Sequence, residues 1–414
     1  MKSKTIEDWN YILRIWFSGY LNIVSVERRN EISPKSHLRK VKKIFKEFIG
    51  NIFRGFIRET IPENQIWFLS LSKNNYESFK HIQKTVDNSI IVSFHSLKEK
   101  ALPNVHTFSL KRRFIYNIFF PFKFLTYFIK TPKKTTSYYD LFFQCYGTNQ
   151  ECLRLINRYK PKAIVFANDH VIISRSMLMS AKKIGVKTYY IQHAAVSNYF
   201  PPLDFDYAFL EGQDSLNKYS KSGLVNSQVF LTGMSKFDVY AESINKNNRL
   251  KVLGIAYNSM DDIMEIETLL SYLINAFPGL QIVIRPHPSD KRKVTIKNIE
   301  ISDPKKENSF EFLSKIDVII SGNSSIHLEA VLLNVFSIQY NFSNNPLDYY
   351  GFIENGLVIF CKTLEDLKEQ INMLRNQKPS VQKKAKFYNA AIESDFYGDS
   401  SGKIVEILNK TINT

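Results

Sequence analysis

Cysteine is scarce in this chain of 414 residues, with only Cys145, Cys152 and Cys361. Their spacing fits no metal-ligand set and no even disulfide framework, which excludes a disulfide-stapled scaffold and a structural zinc module. That usage fits a reducing cytoplasm. The apolar core of a signal peptide is missing too, because Met1-Lys2-Ser3-Lys4 leads into a mixed polar and aromatic stretch. An intracellular protein is expected. There is no GxGxxG or Walker-type glycine loop, which counts against a dehydrogenase or a nucleoside triphosphatase. No Asp-x-Asp pair reads as a divalent-ion anchor, and Asp261-Asp262 precedes a helical pattern and reads as its cap. Neither a metal nor a resident cofactor is expected, and no internal repeat is visible.

Positive charge, in contrast, is plentiful. Lys and Arg number 56 against 39 Asp and Glu, a net charge of +17. Such a surface attracts nucleic acid, anionic lipid headgroups or phosphorylated substrates through its long-range field. The charge is spread over several segments, and none of the common nucleic-acid modules is present, so nucleic acid is the least favoured of these partners. Two segments concentrate it. From Leu38 to Ile57, apolar residues recur at helical spacing between Arg39, Lys40, Lys42, Lys43, Lys46 and Arg54. This is a basic amphipathic helix, either packed on the core or lying on an anionic membrane. The second segment is Lys111-Arg112-Arg113, an aromatic run from Phe114 to Ile129, then Lys130, Lys133 and Lys134. It is too short to span a bilayer and reads as an interfacial segment or a buried helix pair.

Short β-like runs alternate with helical patterns along most of the chain, from Ile66–Leu69 to Leu357–Phe360. That alternation predicts parallel βαβ units. A polar stretch from Glu242 to Arg249 divides them. The expected architecture is α/β, with two Rossmann-like domains facing a central cleft. Residues 1–240 form the first, residues 251–385 the second, and residues 386–414 a C-terminal helical segment.

The chemistry-bearing residues stand at the ends of predicted strands, where open α/β sheets bind ligands. Arg285-Pro286-His287-Pro288 follows Ile282-Val283-Ile284, and Ser321-Gly322-Asn323-Ser324-Ser325 follows Asp317-Val318-Ile319-Ile320. A guanidinium, an imidazole and hydroxyls at a helix N-terminus suit a nucleotide phosphate. The candidate binding set is Arg285, His287, Pro288, Ser321, Asn323, Ser324 and Ser325, with Glu329 one turn further on, either to meet a ribose hydroxyl or simply to cap the helix and face solvent. In the first half, Asn168-Asp169-His170 follows Ala163–Phe166, and Gln192-His193 follows Thr188–Ile191. If these strands are neighbours, Asp169, His170 and His193 converge, and a carboxylate with imidazoles suits general-base activation of a hydroxyl. Otherwise Asp169 caps the next helix or organises its loop.

Together the two later motifs resemble the His-Pro and Ser-Ser motifs of bacterial capsule and surface-polysaccharide glycosyltransferases with a GT-B fold. That group includes sialyl and Kdo transferases that use CMP-sugars and CDP-glycerol polyol-phosphate transferases. Gln192-His193 is similar to its Gln-His-Gly segment, with Ala194 in place of the glycine. Gly233-Met234-Ser235-Lys236-Phe237-Asp238 resembles its Gly-x-x-Lys-x-Asp segment, and Gly398-Asp399-Ser400-Ser401-Gly402-Lys403 its C-terminal Asp-rich stretch. The resemblance implies that His287 and the Ser324/Ser325 pair hold the nucleotide phosphate. It implies Asp169 or His193 as the base, the aspartate in sialyltransferase-like members and the histidine in the polyol-phosphate type. The implied activity is transfer from a nucleotide sugar, cytidine-activated and without a metal, to a surface-polysaccharide or lipid-linked glycan. CDP-polyol phosphate transfer and UDP-sugar 2-epimerisation are the alternatives. The expected location is the cytoplasm, either free or peripheral on the inner face of the cytoplasmic membrane.

Overall fold

The structure, a computed structural model, describes residues 9–24, 26–54, 61–94, 105–296, 299–342 and 348–412. Short helices α1 (Arg14–Phe17), α2 (Tyr20–Ile23) and α3 (Val26–Ile32) lead into α4 (His37–Phe53). The amphipathic segment was expected to reach Ile57; Phe56, Ile57 and Arg58 lie outside the described residues.

The first sheet is built from β1 (Ile66–Leu69), β2 (Ser89–Ser93), β3 (Val105–Thr107), β4 (Ala163–Phe166), β5 (Lys187–Ile191), β6 (Tyr207–Leu210) and β7 (Gln228–Leu231). All neighbours are parallel, in the order β3-β2-β1-β4-β5-β6-β7. Its central strands are apolar on both faces, as parallel strands covered by helices must be; β1 and β4 are buried throughout. The covering helices include α5 (Lys73–Lys84), the long α8 (Pro132–Tyr159), α9 (Ile172–Ile184) and α10 (Gln213–Ser222), while α6 (Arg113–Ile118) and α7 (Phe120–Lys130) pack on α8.

A short 3₁₀ turn, Ser235–Tyr240, leads to the second sheet. Its strands are β8 (Val252–Tyr257), β9 (Gln281–Pro286), β10 (Glu300–Ile301), β11 (Val318–Ser321), β12 (Phe336–Tyr340) and β13 (Ile359–Cys361). The order is β10-β9-β8-β11-β12-β13, again all parallel. Helices α11 (Ile263–Ala276), α12 (Ser309–Leu313), α13 (Ile326–Leu332) and α14 (Leu364–Asn376) connect them. Asp262 caps α11 as expected, its carboxylate accepting from the Met264 N–H at 2.9 Å.

The last helix, α15 (Ser400–Ile412), crosses back to the first sheet. Ile404 and Leu408 pack there with Ile66, Phe68 and Phe79. Asp238 fixes the helix start by accepting from the N–H groups of Ser400 at 2.9 Å and Ser401 at 2.8 Å. Gly233 makes room for this strap: it holds a φ of +79°, and a Cβ there would lie 2.6 Å from Ser400 Oγ. The Gly-x-x-Lys-x-Asp segment and the C-terminal stretch are therefore two halves of one junction.

Candidate functional site

Because β4 and β5 are neighbours, the loops after them meet. Asn168 organises the first loop, its Oδ1 accepting from the N–H groups of His170 at 3.1 Å and Val171 at 3.0 Å. Asp169 caps nothing: the α9 N-cap is Val171, without a side-chain bond. The Asp169 carboxylate is buried and takes His170 Nδ1–H on one oxygen at 2.9 Å and the Tyr219 hydroxyl on the other at 2.7 Å. Burial pushes its pKa up, but the hydrogen bonds from His170 and Tyr219 and the charge of Arg175 outweigh that and hold it low. An ionised Asp169 thus fixes the imidazole, whose Nε2 then carries the lone pair. The His170 ring rests on Phe200, with ring centres 4.3 Å apart.

His193 is placed differently. It donates to the Ala167 carbonyl, and its Nδ1 is buried without a partner. Burial, helped by nearby His170, lowers its pKa to about 4, so the ring is neutral. Ala194 lies outside the left-handed region, so the backbone there accepts alanine without strain. Gln192 turns inward: its Oε1 accepts from the Glu211 N–H at 2.9 Å, and its Nε2 donates to Glu211 Oε2 at 3.2 Å.

Glu211 follows β6 directly and is buried. Its pKa is pushed up to about 7 by burial, with Glu329 and Asp214 adding to the effect and Lys236 opposing it. Lys236 bridges the two halves, its Nζ 2.6 Å from Glu329 Oε1 on α13. Burial works against that ammonium, but Glu329 and Glu211 outweigh it and keep it charged. Glu329 is therefore paired with a lysine through one carboxylate oxygen.

The two phosphate-site motifs end strands that are not neighbours in the sheet. They flank β8, because β9 and β11 pair with its opposite edges. Between them lies Asp261, buried, its pKa raised to about 6 mainly by that burial. The backbone of Gly322 rests on its carboxylate, where a Cβ would sit 2.2 Å from Oδ1.

Arg285 is buried. Its guanidinium donates to Ser302 Oγ at 2.6 Å and to the Glu307 carbonyl at 3.0 Å, and it lies over the Phe312 ring. Within β9, the guanidinium is thus held by the protein itself. Ser321 is likewise committed, its hydroxyl donating to the Ala256 carbonyl at 2.8 Å and stapling β11 to β8. His287 is exposed. Its Nδ1 accepts from the Ser289 hydroxyl at 2.7 Å and N–H at 3.2 Å, so Nε2 carries the proton and serves as an outward donor. Pro288 is exposed beside it, Asn323 and Ser324 are half-buried, and Ser325 is exposed and hydrogen-bonds the Tyr350 hydroxyl. His327 pins the serine loop from behind, its Nε2–H donating to the Gly322 carbonyl at 2.8 Å and its Nδ1 accepting from Ser337 Oγ at 2.6 Å.

The sequence offered no role for Glu211, Tyr219 or His327, and for Asp261 only a helix cap. Glu211 and Asp261 carried the same signal as the residues that were found, a charged group just past a buried strand. Tyr219 and His327 lie inside helices and carried none. Among the described residues, no group of three or more His, Cys, Asp or Glu is arranged to hold a metal ion.

No protein-family model matches the chain, and no curated protein matches it in sequence. Solved structures do match it. A UDP-GlcNAc 2-epimerase from Neisseria meningitidis superposes with a TM-score of 0.54 at 14% identity, over 84% of this chain and 100% of the other. The UDP-GlcNAc 2-epimerase of Methanocaldococcus jannaschii gives a TM-score of 0.55 at 14% identity, over 84% and 99%. The wall teichoic acid polymerase TagF gives 0.53 at 14% identity, over 91% of this chain and 96% of that one. At such identities the likeness establishes the fold, which is GT-B.

Proposed function

We propose that this GT-B protein is a metal-independent glycosyltransferase. It moves a sugar from a nucleotide donor, cytidine-activated as a CMP-sugar, to a hydroxyl of a surface-polysaccharide or lipid-linked glycan on the cytoplasmic side of the membrane. The observation that carries this reading is the Asp169–His170 pair at the end of β4. It has the geometry of an oriented general base: a buried carboxylate holds Nδ1–H, and Nε2 is left for the acceptor hydroxyl. In this reading His170 is the catalytic residue and Asp169 positions it. His193 supports the loop through Ala167, because its remaining nitrogen is shielded. In the second half, the His287 Nε2–H and the hydroxyls of Ser324 and Ser325 hold the donor phosphate and stabilise it as it leaves. Lys236, between Glu211 and Glu329, ties acceptor and donor halves together.

A second reading is phosphoryl-polyol transfer from a CDP-polyol, where phosphorus rather than carbon is attacked. It is favoured by the likeness to TagF, which spans 91% of this chain against 84% for the epimerases cited above. Phosphate content of the product separates the two. A UDP-sugar 2-epimerase would need no acceptor.

Calorimetry with CMP, CDP, UDP, GDP and ADP tests the site, using the wild type, His287→Ala, Ser325→Ala and Arg285→Lys. Cytidine-nucleotide binding, lost in the first two variants and retained in the third, is the expected result. Preference for UDP would favour the epimerase, and no nucleotide binding at all would overturn the reading. In a transfer assay, His170→Ala should lower kcat by about 10²–10⁴.

A further inference from the structure

Helix α4 carries apolar side chains on its outer side as well as against the core. Its lysines Lys40 and Lys43 turn inward, Lys40 to the Ser137 carbonyl and both to the buried carboxylate of Asp140. Its apolar residues Leu38, Val41 and Phe45, spaced along one outer face, are 79%, 55% and 66% exposed. An amphipathic helix whose apolar stripe covered a core would show the reverse. Ile44 and Phe48, on the other side, pack against the core, so the helix is core-packed there and apolar outward as well.

The same two-sided apolar pattern continues next door. In α7, Phe120 and Tyr127 pack around Trp9, while Phe122, Leu125 and Ile129 are 74%, 58% and 73% exposed. Phe119, at the α6–α7 junction, is also exposed. Helix α4 touches α6, α6 touches α7, and an Arg113–Glu47 ion pair locks α4 to α6. Neighbouring helices thus carry the outward apolar side chains.

Charge decides what covers them. Between Lys111 and Lys134 there are seven basic residues and no acidic one. Lys42, Lys46, Arg112, Lys123, Lys130 and Lys133 are exposed around the apolar residues. A second copy would bring like charge onto like charge. Among the described residues, no helix is long and apolar enough to cross a membrane. Phenylalanines interleaved with lysines instead match the depth profile of a bilayer interface, with rings among the acyl boundary and ammonium groups at the phosphates.

We propose that α4, α6 and α7 form a face that docks this protein flat on an anionic lipid bilayer. The proposal deepens the reading of a membrane-side acceptor and rests on that reading only for its purpose, since vesicle binding and nucleotide binding can each fail alone.

The test is co-sedimentation of the full chain with vesicles of phosphatidylcholine alone or mixed with phosphatidylglycerol, at low and high salt. Two variants accompany it, Lys123→Glu with Lys130→Glu, and Phe122→Ser with Leu125→Ser and Ile129→Ser. All five positions are exposed, so melting temperature and nucleotide binding should stay at wild-type values. Each basic group near an anionic surface raises partitioning roughly fivefold. The charge variant should therefore bind phosphatidylglycerol vesicles at least about tenfold more weakly, and the serine variant should also detach. Wild-type protein should ignore pure phosphatidylcholine and release at high salt. No binding at low salt, or equal binding by both variants, would overturn the proposal. So would a dimer that Phe122→Ser, Leu125→Ser and Ile129→Ser dissolves while vesicles go unbound, since the face would then join two copies.

Discussion

Acidification should loosen the second sheet through one residue, His327. The imidazole is fully buried, and its two nitrogens are used by Gly322 and Ser337. Burial lowers its pKa from 6.5 to about 4, against the pull of the Gly322 carbonyl. The unfolded chain takes up a proton near pH 6.5, whereas the folded one refuses it until about pH 4. The stabilisation is therefore complete above pH 6.5 and is lost as pH falls through 4. One pKa unit is worth about 1.36 kcal/mol, so the whole window amounts to about 3 kcal/mol. His327→Asn removes the titration and strands part of the hydrogen bonding, costing about 2–4 kcal/mol at pH 7.5. Guanidinium unfolding of both proteins should show that gap closing by about 2–3 kcal/mol at pH 4.5. His193 titrates in the same direction, but it is common to both proteins and cancels in the difference. Parallel stability curves would refute the argument, because they would mean that the buried imidazole is protonated without cost.

Glu211 should act with the opposite sign. Its pKa is raised from 4.5 to about 7, so the folded state keeps a proton that the unfolded chain releases, and stability is lost as pH rises across that window. Glu211→Gln should flatten thermal melts between pH 5 and 8 and gain up to about 3 kcal/mol at the upper end; an unchanged pH dependence would dismiss the carboxyl as the cause. Asp238→Ala removes the acceptor for two N–H groups at the start of α15. A loss of about 1–2 kcal/mol is expected, with faster amide exchange confined to residues 400–412; unaltered exchange there would show that the cap does not hold the strap.

Much of this fold was written in continuous apolar runs. Strands such as β4, β8 and β11 are buried on both faces, so their sequences need no alternation and stand out between polar loops. The edge strands β3 and β10 were missed, since three and two residues carry too little pattern. Helix α8 was missed for another reason: Asp140, Thr148, Asn149 and Glu151 are buried within it, so its inward side does not read as apolar.

The site shows the same division. Sequence alone determined that Asp169, His170, His193, His287 and the serines stand just past strands, because chain order and strand periodicity are local properties. It could not determine direction or partner. Arg285 and Ser321 lie on strands whose side chains face other layers, and only packing showed that Ser302 and Ala256 claim them. Glu329 meets Lys236 from 93 residues away. The stripe on α4 was legible too, but not the side it presents. That was decided in part by Asp140, a buried carboxylate on another helix that draws Lys40 and Lys43 inward, so that Leu38, Val41 and Phe45 stay outside while Ile44 and Phe48 pack against the core. Periodicity fixes which residues share a face; the charge and space offered by distant segments decide where that face turns.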